Sequence, residues 1–161
     1  DYPTLYGLAG ENMKKQRVII LTIPQILEMS LTDAFKTSGY EPKEIRGRID
    51  AAIKKFREKL EGGSHLLQRM LLLTNSFHCY GAACILCPDV LYTLAGREKR
   101  DLYILPVSIH SVLIVPVWEG AGEEYLKDRI SEISRAEQGE KDWLSGHLYQ
   151  YIAERDVIVE V

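Results

Sequence analysis

Three cysteines and two histidines are the side chains in this sequence best suited to covalent chemistry. Cys84 and Cys87 form Cys-Ile-Leu-Cys, nominally a C-x-x-C pair, with Cys79 shortly upstream. A redox pair of this type sits at the start of a helix, where the thiolate is favoured, and Cys87-Pro88 precedes a helical pattern. With His110 or His147 as base, Cys84 or Cys87 would be the nucleophile of a cysteine-dependent enzyme. Two features weigh against this chemistry. Cys84 lies in the apolar run Tyr80–Leu86, which reads as a strand, and a buried strand cysteine behaves as a small hydrophobe. The third group that should orient the imidazole has no candidate.

A zinc site needs a second ligand pair at fixed spacing. His78 and Cys79 are the nearest candidates, but adjacent strand residues point to opposite faces. No metal and no cofactor is therefore expected. Ser108 stands two residues before His110, where its hydroxyl caps a tight turn or holds the imidazole. Ser108, His110, His147 and Tyr149 are the candidate binding residues. Tyr149 could form a stacking platform with Tyr103 and Tyr151, although tyrosines on half-buried strands more often pack. G-x-S-x-G, H-E-x-x-H, Walker A and G-x-G-x-x-G patterns are all absent from the sequence.

These residues must be positioned by secondary structure, and the pattern gives an α+β order. Leu5, Leu8 and Ala9 after Thr4 suggest a short first helix, and Val18–Leu21 a buried strand stopped at Pro24. The stretch Gln25–Lys36 is ambiguous, with helical spacing at Leu31, Ala34 and Phe35 up to Gly39. From Pro42 to Leu60, the residues Ile45, Ile49, Ala52, Ile53, Phe56 and Leu60 form one apolar stripe of a long amphipathic helix, stopped at Gly62-Gly63. Met70–Leu73 and Tyr80–Leu86 read as a hairpin around Asn75-Ser76. A helix follows from Asp89 to Gly96. Leu102–Val107 and Ser111–Val117 form a second strand pair, in which Pro106 and Pro116 argue for bulges or edges. After a loop at Gly120–Gly122 comes a helix over Glu123–Arg135, broken at Gly139, and then a closing hairpin over Leu148–Tyr151 and Val157–Val159. The expected order from Met70 is thus ββαββα-ββ around an antiparallel or mixed sheet. Residues 1–63 form a mainly helical segment and residues 69–161 an α+β core, all one domain.

Composition narrows the function classes. The 161 residues are 46% hydrophobic and 27% charged, with a formal net charge of −3. Phosphate-binding proteins usually carry a basic excess, so nucleic acid is disfavoured as a partner. The one basic surface is the helix face from Lys43 to Lys59, where acidic residues give ion pairs such as Asp50–Lys54. No apolar run reaches the roughly 18 residues of a membrane span, and no signal peptide is visible. Clustered cysteines, odd in number, fit a reducing compartment, here the cytoplasm. The missing starting methionine suggests the C-terminal portion of a longer protein.

A block of pieces in the second half resembles an uncharacterised bacterial domain-of-unknown-function family, DUF5688. They are Leu72-Leu73-Thr74-Asn75, Gly81–Leu86 with Pro88 and Val90-Leu91, Asp101–Pro106, Ser108-Ile109-His110, Val112–Pro116 and Leu144–Tyr151. Leu5–Ala9 is a weaker match upstream. Members of that family look longer at the N-terminus, and Phe77-His78-Cys79 departs from the more basic turn expected there. The resemblance implies no activity. Taken together, the residues point to a non-catalytic binding or protein-interaction module whose partner is an unidentified protein or small ligand. The alternative is the cysteine-dependent enzyme or thiol redox protein built from Cys84 or Cys87 with His110 or His147.

Overall fold

The two strands flanking His110 organise the molecule. In the computed structural model, which describes residues 17–36, 41–61, 69–87, 89–118, 123–128 and 141–161, β3 (Leu102–Ser108) and β4 (Ser111–Pro116) form a hairpin. They pair antiparallel, with Ile104 opposite Ile114 and Tyr103 opposite Val115. The register shifts between Leu105 and Ser108. Pro106 lies in that interval, where a residue without an N–H can sit inside a strand. Pro116 closes β4.

Around this hairpin lies a six-stranded sheet in the order β1-β2-β4-β3-β5-β6. The further strands are β1 (Val18–Thr22), β2 (Leu71–Asn75), β5 (Tyr149–Ile152) and β6 (Val157–Glu160). β5 pairs antiparallel with both β3 and β6. Strand alternation sends Leu102, Ile104, Val112, Ile114, Tyr149, Tyr151 and Ile158 to one face, and Tyr103, Leu105 and Val115 to the other. Both faces are covered. A 3₁₀ helix (Gly81–Leu86) and α3 (Val90–Glu98) serve the first. On the second, α4 (residues 123–128) brings in the fully buried Leu126. Its Glu123 and Lys127 act electrostatically on the Tyr103 hydroxyl. This explains why β3 and β4 are nearly continuous runs of Val, Ile and Leu rather than half-polar strands.

The chain divides into two compact units, Leu21–Leu71 and a larger one made of Asp1–Ile20 with Leu72–Val161. The smaller unit is a pair of helices, α1 (Ile23–Lys36) and α2 (Pro42–Glu61). Thr22 starts α1: its hydroxyl accepts the Gln25 N–H at 3.4 Å while Gln25 Oε1 accepts the Thr22 N–H at 2.8 Å. Thr22-Ile-Pro-Gln25 is a capping box, a signal the apolar spacing alone left ambiguous. Ile49 of α2 is only 2% exposed. On the outer face Arg46 pairs with Glu28 at 3.1 Å and Asp50 at 3.3 Å. Lys54 lies 4.0 Å from Glu58, so the Asp50–Lys54 pair is replaced by two others. No helix among the described residues is long and apolar enough to cross a membrane.

The expected hairpin Met70–Leu86 is not formed. Its second half, Tyr80–Leu86, is occupied by the 3₁₀ helix Gly81–Leu86, and the order from residue 70 is one strand, this helix, α3, β3, β4, α4, β5 and β6. The reason is tertiary. Both edges of β2 are taken, by β1 and β4, and no ladder position remains for a further strand. Tyr80 turns the chain in the left-handed region (φ 54°), and Gly81 presses onto β2 and the β3–β4 turn. The first helix near Thr4 and the breaks at Gly39, Gly62-Gly63, Gly120–Gly122 and Gly139 lie outside the described residues, as does the second half of the Glu123–Arg135 helix.

A Cβ on Gly81 would stand 2.3 Å from Thr74 Oγ1, 2.5 Å from the His110 carbonyl oxygen and 2.7 Å from the Asn75 nitrogen. Two of these are backbone atoms and cannot swing aside. Gly81→Ala is therefore expected to destabilise the larger unit by about 1–3 kcal/mol, measurable as a lower urea midpoint at unchanged slope.

Candidate functional site

The turn after β3 is held by side chains in its own sequence neighbourhood and beyond it. Ser108 Oγ accepts the backbone N–H groups of His110 (3.1 Å) and Ser111 (3.2 Å), which is why a serine closes this strand. The His110 carbonyl accepts the Thr74 hydroxyl at 2.8 Å. Its Nδ1 accepts the Tyr80 N–H at 3.0 Å, and its Nε2 lies 3.3 Å from Asp142 Oδ2. An Nδ1 that accepts must be unprotonated, so the ring proton of the neutral imidazole is on Nε2, directed at Asp142. Both nitrogens are engaged, and the lone pair a general base would offer is already used. The Tyr80 ring leans over the imidazole at 5.6 Å between centroids.

Below this junction the buried Asn75 organises the loop up to Tyr80. Its Nδ2 donates to the Cys79 carbonyl at 2.8 Å, and its Oδ1 accepts the N–H groups of Phe77 (3.1 Å) and Cys79 (3.3 Å). The sequence reads Asn75-Ser76 as a turn but gives no sign of this hub.

The other candidates are dispersed. His147 belongs to the exposed end of the sheet, its Nδ1 at 2.7 Å from Glu160 Oε1. Cys84 is buried on the 3₁₀ helix rather than in a strand, Cys87 is half-buried and Cys79 exposed. Burial pushes the Cys84 thiol up from its ordinary range, and the neighbouring Cys87 adds to the effect. That is the reverse of what activates a nucleophile. Among the described residues neither thiol bonds an imidazole, and no three His, Cys, Asp or Glu side chains gather as a metal site. The tyrosines do not form one platform: Tyr149 and Tyr151 share a face, while Tyr103 is on the other, opposite Gln150. Tyr151 is buried and donates to Asp156 Oδ1 at 2.6 Å.

What the fold does assemble is an apolar cleft of about 690 Å³. Ile104, Pro106, Val112, Tyr149 and Ile158 form its sheet wall. Tyr80, Ala83, Ile85 and Leu86 form the opposite wall, and Leu144 and Ser145 close one end. Leu86 is 71% exposed, Tyr80 66% and Leu144 44%, so the cleft opens to solvent. A second hollow of about 410 Å³ shares Ile85 and Ile158 with it and adds Tyr92, Asp89 and Asp156. Of the residues singled out from sequence only Tyr149 lines the main cleft. Ser108 and His110 build the frame beside it, through Tyr80. Tyr80, Leu86, Leu144 and Ile158 were missed because an apolar run looks the same whether its side chains face a core or a groove.

The class that fold and site define is an α+β domain carrying an open apolar cleft against one face of its sheet. The chain belongs to a family of unknown function, DUF5688, whose match spans residues 1–153 and so includes the helical pair and the sheet as far as β5, but not β6. No curated protein and no solved structure matches it.

Two outcomes follow from the geometry. In the folded protein a thiol reagent should modify Cys79 readily and Cys84 only after unfolding, resolved by mass mapping of the labelled sites. Burial first, then the hydrogen bond and charge of Asp156, push the Tyr151 hydroxyl from 10.0 to about 12. The raised value means its stabilisation is complete below pH 10.0 and lost as pH rises through about 12. Tyr151→Phe should remove that alkaline component from a series of urea melts.

Proposed function

We propose that this chain is a non-catalytic binding module, and that the apolar cleft is where its ligand or partner segment sits. The cleft itself carries the reading. Its volume of about 690 Å³ falls within the 300–1,000 Å³ typical of ligand sites. Its walls stand on the sheet and on a 3₁₀ helix held by the junction at His110. Large apolar side chains left this exposed around one concavity usually mark an interaction site.

The state of the candidate catalytic groups supports the same reading. His110 spends both nitrogens on Tyr80 and Asp142. His147 is tied to Glu160, and the Cys84 thiol is held in its neutral form by burial. A thiol enzyme would need Cys84 or Cys87 within hydrogen-bond reach of an imidazole with a spare lone pair. Three free thiols suit a reducing setting, here the cytoplasm of a bacterium.

The test is occupancy of the cleft by an apolar fluorescent dye. Leu86→Asp and Leu144→Asp change exposed residues, so the fold should survive. Each should weaken dye binding by about tenfold as a charge is forced against apolar ligand surface. Unchanged binding in both variants, with an unchanged circular dichroism spectrum, would refute the assignment.

A further inference from the structure

Among the described residues the sheet ends at β6, and that edge borders the cleft. All four residues of the strand are exposed, with Val157 at 39%, Ile158 at 42% and Val159 at 37%. The Val161 N–H donates to the Leu148 carbonyl at 3.0 Å. By the alternation of an antiparallel ladder, Val157 and Val159 also turn their main-chain groups toward β5. Ile158 and Glu160 turn theirs outward, where no described residue meets them. Edge strands are ordinarily blunted by lysine, proline or a bulge. Asp156-Val-Ile-Val-Glu-Val161 contains neither lysine nor proline, and its pairing with β5 runs without a shift.

A strand added here would send alternate side chains to the face of Ile158, Tyr149 and Tyr151. That places them at the mouth of the cleft, beside Ile85 and Leu86 of the 3₁₀ helix. Among the described residues the adjoining hollow has Asp89 and Asp156 in its wall and no lysine or arginine. Asp89 does not spend its carboxylate on capping α3. Asp156 accepts one hydroxyl, from Tyr151, and a carboxylate has further acceptor positions.

We propose that β6 takes up an extended peptide of another protein as a seventh strand. Its alternate apolar side chains enter the cleft, and a lysine or arginine lies near Asp89 and Asp156. This presupposes the binding role of the cleft and adds the class of partner. Main-chain pairing supplies affinity and the cleft supplies selection, as in other strand-addition sites. A second copy of this chain is a poorer occupant: its 154–161 segment would bring three more carboxylates to this edge, Glu154, Asp156 and Glu160, against the single cation of Arg155.

The probes are synthetic peptides of alternating valine and threonine ending in lysine or in glutamate, followed by fluorescence anisotropy with the full chain. The lysine peptide is expected to bind about tenfold tighter than the glutamate one. Asp89→Asn and Asp156→Asn should reduce that preference. Asparagine can still accept from Tyr151 and tolerates the positive φ of 50° at position 156. N-methylation of one alternate set of residues should weaken binding by about tenfold, while methylating the other set should not, because only one set faces β6. Equal affinity of both methylated peptides overturns strand addition. So does self-association of the chain through this edge in sedimentation. If the peptides fail while the apolar dye still fills the cleft, the peptide assignment falls and the binding role stands. If both fail, both fall.

Discussion

The Tyr80 N–H resting on the His110 imidazole is the contact on which the cleft depends. It fixes the chain at the point where the backbone leaves β2, turns through a left-handed residue and enters the 3₁₀ helix. The same turn takes the Thr74 hydroxyl through the His110 carbonyl and the Ala82 N–H through the Ile109 carbonyl at 3.2 Å. Its Ile109 N–H donates to the Asp142 carbonyl at 2.8 Å. The end of β2, the start of the 3₁₀ helix and the segment at Asp142 thus meet at Ile109 and His110. Each partly buried polar group there has a partner, and leaving any of them unpaired would cost about 1–3 kcal/mol. The histidine is needed for its geometry, as an acceptor on one side and a donor on the other.

From this junction the shape of the cleft follows. A 3₁₀ helix rises steeply and carries few residues per turn, so Gly81–Leu86 covers only part of the sheet face beneath it. Gly81 lets the helix start hard against β2. Farther along, Leu86 is largely exposed, and the apolar surface of Tyr149 and Ile158 is left incompletely covered. On the opposite face Tyr103, Leu105 and Val115 are buried, as is Leu126 of α4. Among the described residues the open side of the sheet is thus the one covered by the 3₁₀ helix.

Much of the architecture was legible in the sequence. Val18–Leu21, the pair Leu102–Val107 with Ser111–Val117, and the closing strands all carry apolar runs bounded by turn residues. Pro106 pointed to an irregularity inside β3, and the register shift lies there. Ser108 was readable as a turn cap because a hydroxyl two residues ahead of a bend meets the N–H groups it exposes. The segment Tyr80–Leu86 was misread. Its composition suits a strand, and only the occupied edges of β2 and the close approach at Gly81 exclude one. Cys84 followed the same error: a place on a strand became a place on a helix, while its burial was unaffected.

By itself the sequence determined an α+β chain with ordinary globular composition, its main strands and its long charged helix. These are local properties, set by periodicity, turn chemistry and the balance of apolar and charged residues. Tertiary structure alone decided which nitrogen of His110 carries its proton, that Tyr149 and Tyr151 part company with Tyr103, and that apolar side chains surround a groove. Such features depend on which distant backbone groups arrive at a given atom. A linear pattern records how hydrophobic a residue is, but not whether its neighbours in space complete a core or stop short of one.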